Sequence, residues 1–274
     1  MSGIYRVFPV KKRSIFSLLN FSVTIQLIFL TVLCSIFFWI FSKFANTSNF
    51  VLTPSLIASG KNLWTLLTSI LIHANFFHLF ANMFSLFFVG SFLENIIGKK
   101  RFLCTYLIAG LIGGLFFVVN AFLFGNPDIP AVGASGAIFG LLGVLAVLVP
   151  YSKIYLILGP FILIVLEVVL QGIIPPSFSS LFNLIANILM ILMIFSLLSF
   201  NSSFRKIALP VELPMWLLPI IAIVPLAIIG LYIDLPIGNS AHFGGLVVGV
   251  LYGVYLRKKF PNKTKRIQAY FSQK

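Results

Sequence analysis

Apolar runs follow one another along this chain, and between them stand only short clusters of lysine and arginine. A helix needs about 20 apolar residues to cross a hydrocarbon core roughly 30 Å thick. By that measure the predicted spans lie near 21–43, 73–97, 102–124, 135–150, 154–173, 180–200, 214–233 and 241–257, eight in all. Lys99, Lys100 and Arg101 separate the second from the third, and Pro175 with Pro176 end the fifth. With 60% hydrophobic and 9% charged residues, the 274-residue chain has more apolar surface than a soluble fold could bury. The expected architecture is an all-α polytopic membrane protein, with the lipid bilayer as its solvent.

A net charge of +14 is also found in nucleic-acid binders. Here the cations lie between apolar runs rather than along one face, so they read as membrane topology, and no nucleic-acid partner is expected. With a cytoplasmic N-terminus, eight spans put Arg6 to Arg13, Lys99 to Arg101, Lys153, Arg205 with Lys206, and Arg257 to Lys274 on one side. Only Lys43 and Lys61 fall outside, so the positive-inside rule puts both termini in the cytoplasm. Lys11, Lys12 and Arg13 precede the first run as in a signal peptide, yet no small-residue cleavage site follows, so the run reads as a retained span. The division expected is a basic tail over 1–20, a membrane domain over 21–257 and a second basic tail over 258–274. Without a transit peptide, a prokaryotic plasma membrane is the expected location. Cys34 and Cys104 sit inside apolar runs without CxxC spacing and read as packing residues.

Polar groups inside membrane segments are costly and therefore informative. All three histidines open an expected span, His73 and His78 in HANFFHLFANM and His242 in NSAHFGGLVVG. On a helix His78 and Asn82 are one turn apart and share a face, whereas His73 lies about 140° from His78. His242 shares a face with Gly249 and nearly with Gly245, so a neighbouring backbone can approach there. The fourth span supplies one: it reads GASGAIFGLLG, with Gly136, Gly140 and Gly143 forming a smooth stripe beside Ser135. Its 16 residues reach only about 24 Å, so the serine should lie below the membrane surface. The loop GNPDIPAVGA must then descend into the bundle beside a water-filled cavity.

A serine within hydrogen-bond reach of a histidine is an activated nucleophile, and Ser135 with His242 fits. Candidates to hold the oxyanion are the Ser135 amide at a helix N-terminus, His78 and the Asn82 side chain. No acidic third member is apparent among Glu94, Asp128, Glu167, Glu212 and Asp234, so a dyad is the simpler reading.

GASG followed by Phe139, the HxxxxHxxxN string of His73, His78 and Asn82, and AHxxGxxxG at His242 resemble the motifs of the rhomboid family. Trp64 and Glu94 look like family features too. The resemblance implies a six-helix core and an intramembrane serine endopeptidase. Its substrates would be single-span or polytopic membrane proteins, cut near the outer face without cofactor or metal. It assigns Ser135 as nucleophile, His242 as base, and His78 and Asn82, with the Ser135 amide, to the oxyanion. Phe139 becomes the ring on which the histidine packs, and His73, Gly133, Gly245 and Gly249 become supporting positions.

Two departures stand out. Trp64 is followed by Thr65 where the family often has arginine, and an extra helix pair over 154–200 lies between the fourth and fifth core helices. The chief alternative is an inactive rhomboid-like protein that binds membrane segments. A proton-relay transporter should carry carboxylates beside the histidines, yet Glu94 lies about 18 Å along the helix from Asn82. A zinc protease fits less well, since HANFFH is not HExxH and its histidines fall on different helix faces.

Overall fold

The computed structural model describes residues 22–157, 174–198, 209–230 and 238–272, together with 159, 162, 163, 166 and 170. It divides into two compact units: Met1–Leu141 with Ser240–Gly249, and Leu142–Asn239 with Val250–Lys274. The expected tail over 1–20 lies outside the described residues.

In the first unit, α1 (Val23–Phe41) turns the soluble-protein pattern inside out. It buries Thr24, Leu27, Thr31 and Ser35 and exposes Phe29, Leu33, Phe37 and Ile40. Among the described residues, α1, Phe76–Ile97 and Lys99–Phe124 are long and apolar enough to cross a bilayer. Apolar-out, polar-in packing is what lipid favours, because tails solvate Phe and Leu while hydroxyls need partners inside the bundle. After α1 the chain forms two short helices, α2 (Pro54–Ala58) and α3 (Thr65–Thr68), and one 3₁₀ turn over Ser69–Leu71.

The next helix, α4 (Phe76–Ile97), starts three residues later than position 73 because Asn75 caps it, its side chain accepting from the His78 N–H at 2.8 Å. A π turn over Leu86–Gly90 re-phases α4 midway. Gly98, at φ 82°, then ends it. The expected break at Lys99 to Arg101 is therefore corrected: those cations are already helical in α5 (Lys99–Phe124), and the left-handed glycine before them makes the corner. Leu86, Leu93, Phe102, Tyr106 and Ala137 are fully buried and form the centre of this unit.

One polar group anchors α1. The Glu94 carboxylate on α4 accepts from the Ser22 hydroxyl, the Val23 and Thr24 N–H groups and the Thr24 hydroxyl, at 2.7 to 3.0 Å. The first N–H groups of a helix have no partner within it and carry its positive end, so a carboxylate there satisfies donors and dipole together. The sequence presents Glu94 as a possible acid and as a feature of the rhomboid resemblance; its partners identify it as the cap of α1.

Next come α6 (Ser135–Leu148), 14 residues long, and β1 (Lys153–Ile157). β1 pairs antiparallel with β2 (Pro210–Pro214), from Lys153 opposite Pro214 to Ile157 opposite Pro210. This strand corrects the expected fifth span, which opens as β structure at 154; most of its remainder lies outside the described residues. Between the strands runs α7 (Pro176–Leu198), where Pro176 begins the helix, its missing N–H costing nothing at the first position. The last helices are α8 (Leu218–Ile229), α9 (Asn239–Lys259) and α10 (Pro261–Ser272). The last of these gives helical structure to most of the expected C-terminal tail. The described fold is thus helical apart from one small ladder and an isolated Leu52–Ala131 bridge.

Candidate active site

The site lies within the first unit, at the N-terminal ends of α6 and α9. Ser135 is the first residue of α6 and His242 the fourth of α9. The serine Oγ and the histidine Nε2 are 2.7 Å apart, across 107 residues of chain. The imidazole is buried and lies flat on the Phe139 ring, with centroids 4.5 Å apart and planes 20° apart. Stacking on one face and a hydrogen bond at one edge fix the ring in two directions. Among the described residues no carboxylate is bonded to its Nδ1.

Glycines bring the two helices into register. A Cβ on Gly245 would run into the Gly136 carbonyl, and one on Gly249 into that of Gly140. Backbone thus meets backbone at two levels one turn apart, and Gly136 and Gly140 of the small-residue stripe read from the sequence make this contact. A third helix shares it unexpectedly: a Cβ on Gly113 of α5 would lie 2.7 Å from the Ala241 carbonyl, and one on Gly140 would collide with the Ala109 side chain.

The loop that delivers Ser135 grows more buried toward the serine: Pro130 is exposed, Ala131 to Gly133 are half-buried, and Ala134 is fully buried. Each step is fastened. Ala131 exchanges two backbone hydrogen bonds with Leu52, the Gly133 N–H donates to the Ser69 carbonyl at 2.9 Å, and the Ala134 N–H donates to His73 Nε2 at 3.3 Å. Gly133 has φ 129°, and a Cβ there would come within 2.9 Å of His78 Nε2, so both conformation and space require glycine. This contact brings His78 against the loop two residues before the serine. Asn82 is buried one turn beyond His78 and spends one amide N–H on the His78 carbonyl at 2.8 Å, leaving the other.

His73 requires a correction. Treating it as helical put it about 140° from His78, but it precedes the Asn75 cap in non-helical backbone, and the two rings meet edge to face with centroids 4.9 Å apart. Two residues of α1 that sequence reading passed over also reach it: Ser35 Oγ lies 3.2 Å from Nδ1, and the Trp39 indole N–H donates to the His73 carbonyl at 2.7 Å. The signal was present as polar positions at helical spacing inside an apolar run. Trp64 lies apart from this cluster, half exposed, donating to the Asn49 carbonyl at 2.9 Å. Among the described residues no group of three or more His, Cys, Asp or Glu is disposed to hold a metal ion.

Such an arrangement has the parts of acyl transfer: an oxygen nucleophile beside a base, at a helix N-terminus, with further N–H donors within the same cluster. The Rhomboid domain matches residues 60–195 and 183–259. YdcA of Bacillus subtilis is 47% identical over 88 residues, 32% of this chain and 42% of YdcA. The rhomboid protease GluP of the same organism is 45% identical over 91 residues, 33% of this chain and 17% of GluP. Inactive RHOMBOID-like protein 8 of Arabidopsis thaliana is 37% identical over 87 residues, 32% of this chain and 23% of that protein. The chain spans less than half the length of each of these relatives.

Proposed function

This chain belongs to the rhomboid family, and on that premise we propose that it is an intramembrane serine endopeptidase with Ser135 as nucleophile and His242 as base. As a family member with several apolar helices it is an integral multi-pass membrane protein. The observation that carries the proposal is the 2.7 Å approach of Ser135 Oγ to His242 Nε2, with the imidazole held flat on Phe139.

The reaction follows from this geometry. The Ser135 hydroxyl passes its proton to Nε2 as Oγ bonds to the carbonyl carbon of the scissile peptide. Negative charge moves to the former carbonyl oxygen and is held by the Ser135 N–H, with N–H groups of His78 and Asn82. Collapse breaks the C–N bond, and His242 returns its proton to the departing amine. A water molecule, its proton taken by His242, then attacks the acyl carbon and releases Ser135.

Substrates are transmembrane segments of other membrane proteins, cut near the outer face. A helix hides its peptide bonds, so the scissile stretch must unwind, and small or helix-breaking residues there favour cleavage. The lysine and arginine distribution supports a topology with both termini on the cytoplasmic side. That one relative is named inactive keeps a second reading in view, a non-cutting binder of membrane segments.

Cleavage of a single-span substrate by reconstituted wild type, with Ser135→Ala and His242→Ala alongside, decides between them. Expected is a cut by the wild type that falls by about 10⁴-fold or more in both variants. A folded wild type that binds but never cuts supports the binder.

A further inference from the structure

Four hydrogen bonds connect α1 to the backbone beside Ser135, and the chemistry of one donor fixes the direction of the chain between them. The Ala134 N–H can only donate, so His73 Nε2, 3.3 Å away, must accept. A neutral imidazole that accepts at Nε2 carries its proton on Nδ1, which faces Ser35 Oγ at 3.2 Å. Ser35 therefore accepts from the ring and sends its own hydroxyl proton to the Leu71 carbonyl, 3.3 Å away. Trp39, one turn further along α1, pins the His73 backbone through its carbonyl at 2.7 Å. Ser35 and His73 are both fully buried, so water does not substitute for a missing partner.

Resting on the protease reading, we infer that Ser35 and Trp39 are positioning residues: through the Nδ1–H tautomer of His73 they hold the Ala134 N–H, and with it the start of α6 and the Ser135 amide, in reactive geometry. Neither touches Ser135. Their action is transmitted: one accepts the Nδ1 proton and so stabilises the ring form whose Nε2 accepts from Ala134, the other sets where the ring sits. Small displacements of a nucleophile cost large factors in rate, whereas substrate affinity depends on surfaces elsewhere.

A shape-matched pair isolates the hydroxyl. Ser35→Thr keeps an oxygen on Cβ and Ser35→Val replaces it with carbon, while Trp39→Phe removes the indole N–H and keeps a ring. Each full-length variant is reacted with a fluorophosphonate, which labels an activated serine without needing substrate, and then assayed on a single-span substrate. Ser35→Val and Trp39→Phe are expected to label Ser135 about tenfold more slowly or worse. In cleavage kcat falls and KM stays, while Ser35→Thr remains near wild type. Nitrogen NMR of His73 should report the Nδ1–H tautomer in wild type and its loss in Ser35→Val. A labelled wild type with Ser35→Val equal to Ser35→Thr, and Trp39→Phe equal to wild type, overturns the inference. A wild type inert to the reagent overturns the protease reading, and this inference with it.

Discussion

Gly136 and Gly245 approach so closely that a Cβ on Gly245 would collide with the carbonyl oxygen of Gly136. Ser135 precedes the first glycine and His242 stands three residues before the second, so the same contact that packs the helices sets the distance between serine and histidine. Gly245→Ala and Gly249→Ala are predicted to push α6 and α9 apart. Overpacking should cost on the order of 1–3 kcal/mol of stability. Fluorophosphonate labelling should fall further than the thermal unfolding midpoint implies. Labelling at the wild-type rate in both variants would mean that the helices separate without moving the pair.

Oxyanion donors act mainly on the chemical step. His78→Ala and Asn82→Ala are each predicted to lower kcat by about 10²–10³-fold, with little change in KM, in steady-state cleavage. Since Asn82 also donates to the His78 carbonyl, Asn82→Ala should show some loss of stability besides. A rise in KM at constant kcat would reassign these residues to substrate binding.

Gly133→Ala tests the loop from the other side. The position demands a left-handed backbone and leaves no room beside His78, so alanine should displace the loop and abolish labelling of Ser135. Measured by circular dichroism, the helical content should stay unchanged, because the strain falls on a loop.

Glu94 predicts the reverse, a loss of stability with the chemistry intact. Its carboxylate takes four hydrogen bonds from the start of α1, and Glu94→Ala leaves those donors without it. A loss of roughly 3 kcal/mol is expected in detergent unfolding, given the strength of hydrogen bonds to charged groups. The fraction still folded should cleave at the wild-type kcat.

The β1–β2 ladder makes a prediction for the extra pair. Ile157 stands opposite Pro210, so the chain leaves for the extra segment and returns at neighbouring positions. Replacing residues 158–209 by a two-residue turn should therefore preserve labelling of Ser135. The Lys153–Glu212 ion pair across the ladder, 2.8 Å but well exposed, should matter little when neutralised.

Much of this was readable in the sequence, for identifiable reasons. The glycine faces of α6 and α9 follow from helical periodicity, which needs only angle counting, while the pairing of Ser135 with His242 rests on their chemistry and on the rhomboid motifs. His73 was misjudged because that counting assumed a helix where Asn75 begins one. Gly98, not the cations beside it, made the corner between α4 and α5, and a left-handed glycine leaves no hydropathy signal. β1 reads as the start of an apolar run because KIYLI leads straight into one, and β2, PVELP, reads only as a proline-bounded connection. The role of Ser35 and Trp39 could not be read at all without knowing what lies opposite α1, although the run Thr24, Thr31, Ser35 marked the face that turns inward.

The bond from Ser135 to His242 also bears on how the protein is made. One partner enters the chain at the start of α6 and the other only at the start of α9, 107 residues later. A ribosome that stalls anywhere between them releases a product with the proposed nucleophile and without the proposed base. On the proposed reading, premature termination therefore leaves an inert fragment rather than an unregulated protease, and the insertion machinery meets no complete pair until α9 has emerged.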